Sequence, residues 1–160
     1  MTLVLRHNDK LELNRVEYSG AISLAELIAV AEFQAQEPTW LSYDCLNLVA
    51  PGAYFEQVDH RALDALFERY SALFKPLQLV IFRRAAWLCE SDEARPQIRH
   101  WIGGRDTRAG ISSDIREFDS IAEACEWLVL SPAQAEIAAR PESFREIVRY
   151  TLPARAALAS

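Results

Sequence analysis

Residues 16–27, Val-Glu-Tyr-Ser-Gly-Ala-Ile-Ser-Leu-Ala-Glu-Leu, limit the possible folds more than any other stretch of this chain. An alternating run, as a half-buried strand requires, passes through the single glycine Gly20 into Ser23-x-x-Glu26, a capping box in which serine and glutamate each satisfy an amide of a helix's first turn. The device recurs at residues 115–128, where Ile-Arg-Glu-Phe leads into Ser120-x-x-Glu123 and an apolar helical face. Strands that alternate with helices of this length return by right-handed crossovers, so the expected class is α/β.

The intervening segments fit that scheme. Residues 3–7 and 11–18 form a hairpin across Asn8-Asp9-Lys10, and the helix after Ser23 closes before Pro38. Residues 40–49 read as a buried strand ended by Ala50-Pro51-Gly52. A helix from about Asp59 carries Leu63, Leu66, Phe67, Tyr70 and Phe74 on one face up to Pro76. Residues 77–89 read as a strand with a possible break at Arg83-Arg84, and a helix capped by Ser91 or Asp92 runs to Gly103-Gly104. A last strand covers 113–118. A third box, Ser131-Pro132-Ala-Gln134, starts a short helix to Ala139, and a further helix is expected over 141–150. The expectation is a mixed, largely parallel sheet of four to five strands with helices on its faces over residues 1–130. Residues 131–160 follow as a helical extension packed on the domain or on a second copy, as in a homodimer. In such sheets functional loops gather at the carboxyl ends of the parallel strands, here 47–59, 90–93 and 119–120.

Composition removes several function classes. A net charge of −6, with lysine only at positions 10 and 75, argues against nucleic acid, whose binding depends on displaced counterions. Cys45, Cys89 and Cys125 are odd in number and lack zinc spacing, so they read as reduced, buried thiols. His7, His60 and His100 have no paired spacing that suggests a metal, and no cofactor is expected. No apolar stretch approaches the roughly 20 residues of a membrane span, and the first residues lack a secretory layout, which makes the cytoplasm the expected location.

Tyr18-x-Gly20-x-Ile22-Ser23-x-x-Glu26-Leu27, Asp44 with Leu46, and Phe118-Asp119-Ser120-x-x-Glu123-Ala124-x-Glu126-Trp127-Leu128 together resemble the SpoIIAA-like branch of the STAS domain family, small bacterial α/β proteins related to anti-sigma-factor antagonists. The resemblance covers about residues 3–130 and implies a non-enzymatic regulatory module that binds protein partners. It also implies a departure. Signalling members offer a phosphorylatable serine at the start of the second helix, whereas residues 47–59 contain no serine or threonine, and the nearest hydroxyls are Ser42 and Tyr54.

Tyr54 and Phe55, flanked by Leu48 and Val49, put two aromatic rings in a connector that is usually polar; they serve either a contact patch or closure of the core. With Phe67 and Trp101 they make up the expected binding surface. Asp44 must meet an arginine, a helix N-terminus or solvent. Glu90, Asp92, Glu93 and Asp119 read as first-turn residues that complement helix dipoles. Arg95, Arg99, Arg105 and Arg108 form either a patch for an anion or acidic partner or a salt-bridged solvated face. The glycines at 103, 104 and 110 lack the lysine of a phosphate loop. The first reading is a protein-interaction module working through the loop before the second helix. A second, which the resemblance allows, is a carrier of a small apolar or lipid-like ligand between the second and third helices. The third is a thiol-dependent hydrolase using Cys45, with His60 or His100 as base.

Overall fold

A computed structural model describes residues 2–77, 83–103 and 113–151. The chain opens with the expected hairpin. Strands β1 (Thr2–Asn8) and β2 (Leu13–Ser19) pair antiparallel with Leu3 opposite Tyr18 and Leu5 opposite Val16. Gly20, at φ +65°, then turns the chain in the left-handed region that glycine tolerates. The short β3 (Ala21–Ser23) feeds α1 (Leu24–Gln36), where both halves of the capping box form: Glu26 N donates to Ser23 Oγ at 3.2 Å and Ser23 N to Glu26 Oε2 at 2.8 Å.

The strand expected over 40–49 begins later, as β4 (Asp44–Val49), because residues 38–42 form a 3-10 turn. In that turn Leu41 is fully buried and the Trp40 ring stands edge-on to His7, so these apolar residues serve packing and not pairing. The connector beyond β4 holds an unanticipated strand, β5 (Tyr54–Glu56), parallel to β3. Helix α2 (His60–Phe74) starts on Asp59, whose carboxylate accepts from Ala62 N at 2.8 Å. β6 (Arg83–Cys89), α3 (Arg95–Gly103), β7 (Ser113–Phe118), α4 (Ile121–Trp127) and α5 (Pro132–Ala138) follow. Residues 78–82, expected in the strand with β6, and the loop 104–112 lie outside the described residues.

The helix expected over 141–150 is instead a 3-10 turn and a strand, β8 (Arg145–Tyr150), antiparallel to β1. Its β-branched and aromatic residues, Ile147, Val148 and Tyr150, suit a pleated surface, and the otherwise open edge of β1 supplies the hydrogen-bonding partner. The main sheet therefore has six strands in the order β7-β6-β4-β2-β1-β8. It is larger and less uniformly parallel than expected: the three junctions from β2 to β7 are parallel, and β1 is antiparallel to both neighbours.

This α/β sheet separates two cores. Helices α1, α2 and α3 cover one face, where Leu3, Val16, Tyr18, Leu27, Leu66, Trp87 and Ile98 are buried. On the other face Leu13, Leu46, Ala86, Cys125, Leu128 and Phe144 pack with α4 and α5. That second layer is pinned by charge. Glu17 accepts from Arg6 Nε at 2.7 Å and from Arg15 Nε at 3.0 Å, and Arg15 also donates to Ala138 O at 2.8 Å, holding the end of α5. No helix among the described residues is long and apolar enough to cross a membrane.

Candidate functional site

Alternation along the strands decides which side chains meet α1, α2 and α3. Val16 and Tyr18 of β2, Cys45 and Asn47 of β4, and Arg83, Ala85 and Trp87 of β6 all point to that face. The parallel register sets Cys45 beside Ala85 and Asn47 beside Trp87. The small pair leaves the floor low, while the next row stands high, with Tyr18 and Trp87 stacked at 5.4 Å. Across from them, rings hold α2 and α3 apart: Trp101 lies 6.2 Å from Phe67 and 5.8 Å from Tyr70. Between floor and helices remains a void of about 110 Å³.

Its wall is mostly aliphatic and aromatic, and its polar groups are few. Cys45 Sγ donates to Asn47 Oδ1 at 3.6 Å, and Asn47 Nδ2 donates to Ala86 O at 3.4 Å. Burial pushes the Cys45 thiol up to about 11 and the Tyr70 phenol up to about 12, and it raises Tyr18 well above the ordinary phenol value; the nearby Arg83 guanidinium opposes each shift. Arg83 is the only charged residue lining the cavity among the described residues. Its Nε and the Oε1 of Gln97 on α3 are buried without a hydrogen-bond partner.

The structure distributes the expected binding surface. Phe55, Phe67 and Trp101 line the cavity, so three of the six come together there. Val49 is buried in the core, and Leu48 points to the opposite face of the sheet and packs against the α4 layer. Tyr54, 41% exposed, is the large aromatic that faces outward, since β5 turns Phe55 in and Tyr54 out. Asp44 accepts from the backbone N of Arg84 at 2.8 Å, not from an arginine side chain.

Arg95 and Arg99 share Glu117, at 3.8 and 3.2 Å, and Arg95 also pairs with Asp92 and donates to Cys89 O at 3.0 Å. Their charge is answered within the protein; Arg105 and Arg108 lie outside the described residues. Cys45 faces Asn47 and no imidazole. His60 and His100 stack on each other at 4.0 Å across α2 and α3, with His100 Nε2 2.9 Å from Asp64 Oδ1. No group of three or more histidine, cysteine or acidic residues among the described residues is arranged to hold a metal.

Sequence reasoning passed over Arg83 and Gln97. The available signal was a charged residue opening an otherwise apolar strand, taken there as a strand break. Compared with known proteins, the chain matches no family model, no curated protein and no solved structure.

Proposed function

We propose that this protein binds a small, largely apolar molecule in the cavity between its sheet and helices α1 to α3, acting as a carrier or a sensor. The observation that carries this reading is the void itself, about 110 Å³ walled mainly by carbon. Interiors are ordinarily packed to the density of organic crystals, and an apolar hole of about 150 Å³ is known to stay dry and admit one six-membered ring. Phe55, Phe67 and Trp101 give a ligand flat surfaces, and Asn47 and Gln97 offer a few directional contacts. A cysteine hydrolase draws no support from this geometry, because burial raises the thiol's pKa and its hydrogen-bond partner is Asn47 and not a base.

The protein-interaction reading keeps one observation in its favour, the outward Tyr54 on the β5 connector. A single ring falls short of an anchored interface. Similarity to the SpoIIAA-like branch of the STAS family is likewise our proposal, resting on the glycine-to-capped-helix entry at Gly20 and Ser23 and on the Phe118–Leu128 segment.

Thermal unfolding in the presence of toluene, a neutral one-ring probe, tests the cavity. Ligand at a hundred times its Kd stabilises the native state by about 2.7 kcal/mol, so a rise in Tm that grows with the logarithm of toluene concentration is expected. A Tm unchanged up to the solubility limit of toluene and of its one-ring analogues counts against the reading.

A further inference from the structure

The cavity is lined by a cation that no aspartate or glutamate among the described residues neutralises. Arg83 opens β6, and the strand's alternation sends its side chain to the same face as Ala85 and Trp87, into the cavity lining. Its Nε is buried with no acceptor, and no aspartate or glutamate among the described residues lines the space. Two other arginines show how this fold usually treats a guanidinium. Arg15, on the opposite face, is matched by Glu17 at 3.0 Å and by Ala138 O at 2.8 Å. Arg84, the next residue along, donates to Trp127 O at 2.8 Å and lies over the Trp127 ring at 5.7 Å. Arg83 is partly buried, and a guanidinium whose Nε is withdrawn from water with no acceptor among the described residues is poised for an anion that arrives from outside.

The kind of anion follows from the surroundings. A guanidinium fork matches the two oxygens of a carboxylate. The remaining wall is mainly apolar and aromatic, with Gln34, Asn47 and Gln97 as its amides, and the volume suits one ring, which excludes a body as large as a nucleotide. Gln97 Oε1, also buried and unpaired, waits for a donor on that body.

We propose that the cavity takes a small monocarboxylate with a ring-sized apolar body, its carboxylate paired to Arg83 and any hydroxyl or N–H it carries accepted by Gln97. This rests on the ligand-binding reading above and adds the chemical class of the ligand.

Benzoate and its neutral isostere benzamide separate the two claims. In calorimetric titration of the full chain at pH 7, benzoate is expected to bind at least tenfold tighter than benzamide. Arg83→Gln should bring the two within about threefold while benzamide binding persists, and Arg84→Gln, on the other face, should keep the tenfold preference. Equal or tighter binding of benzamide by the unaltered protein overturns the carboxylate proposal and leaves the cavity reading standing, as does a preference that survives in Arg83→Gln. Failure of benzoate, benzamide and toluene alike to bind removes the cavity reading itself, and the proposal with it. The comparison on the unaltered protein decides even where a variant folds poorly. Without ligand, Arg83→Gln should keep or raise Tm, since Nε has no partner to lose among the described residues. A fall of more than about 4 °C, equivalent to at least about 1 kcal/mol in a domain of this size, would assign Arg83 a structural partner and overturn its role as a clamp.

Discussion

A thiol on the floor of an apolar cavity keeps its proton because ionisation would put a charge where water cannot solvate it, and Cys45 accordingly rises from 9.0 to about 11. Burial raises Cys89 and Cys125 as well. In the folded protein at pH 8 all three should resist a thiol-reactive chromogenic disulfide, and all three should titrate once denaturant is added. A group whose folded pKa is raised contributes stability fully below its unfolded value and loses it as pH climbs through the folded one. The urea midpoint should therefore hold to about pH 9 and fall toward pH 11, with Tyr70, raised from 10.0 to about 12, adding to the decline above pH 10. Glu17 works at the acid end. Burial pushes its carboxyl up, but hydrogen bonds and charge from Arg6 and Arg15 outweigh this and hold it below the ordinary 4.5. The sign reverses: its contribution is complete above about pH 4.5 and disappears as pH falls through the lowered value. Glu17→Gln should cost about 1–3 kcal/mol at neutral pH, measured by urea unfolding, and should flatten the acid limb.

Among the elements, what was legible depended on how local the determinants are. Helices α1 and α2 could be read from sequence because Ser23, Glu26 and Asp59 act on amides within one turn and their apolar faces repeat every 3.6 residues. β8 could not. Pro141 imitates a helix start, and what makes residues 145–150 a strand is the edge of β1, with Leu5 opposite Val148 across more than a hundred residues of chain. β5 escaped notice for the same reason, since its partner β3 lies in an earlier connection. Phe144, 5% exposed between α5 and the sheet, anchors this return, and Phe144→Ala should cost about 3–5 kcal/mol in chemical unfolding. Ser23→Ala, which removes one cap, should cost only about 1 kcal/mol by the same measurement.

For the molecule as a whole, the α/β class was readable from alternating periodicities, whereas the strand order was not, because nothing local says which edge a strand joins. The cavity was hidden still more deeply. A void is a difference between large volumes, fixed here by two small neighbours in register, Cys45 and Ala85, under rings contributed by separate helices. Refilling it is a test at that scale: Ala85→Leu should change stability by less than about 1.5 kcal/mol, because the added carbons enter existing space, yet should abolish the toluene-induced rise in Tm. Filling the void also isolates a property of the four tryptophans. Trp87 and Trp101 border the cavity, Trp40 lies 5.1 Å from the His7 ring, and Trp127 sits beneath the guanidinium groups of Arg84 and Arg116 at 5.7 and 5.4 Å. Each indole therefore emits from its own surroundings, and the chain carries a built-in set of optical gauges, in which quenching of the first two alone would mark occupancy of the interior without any attached dye.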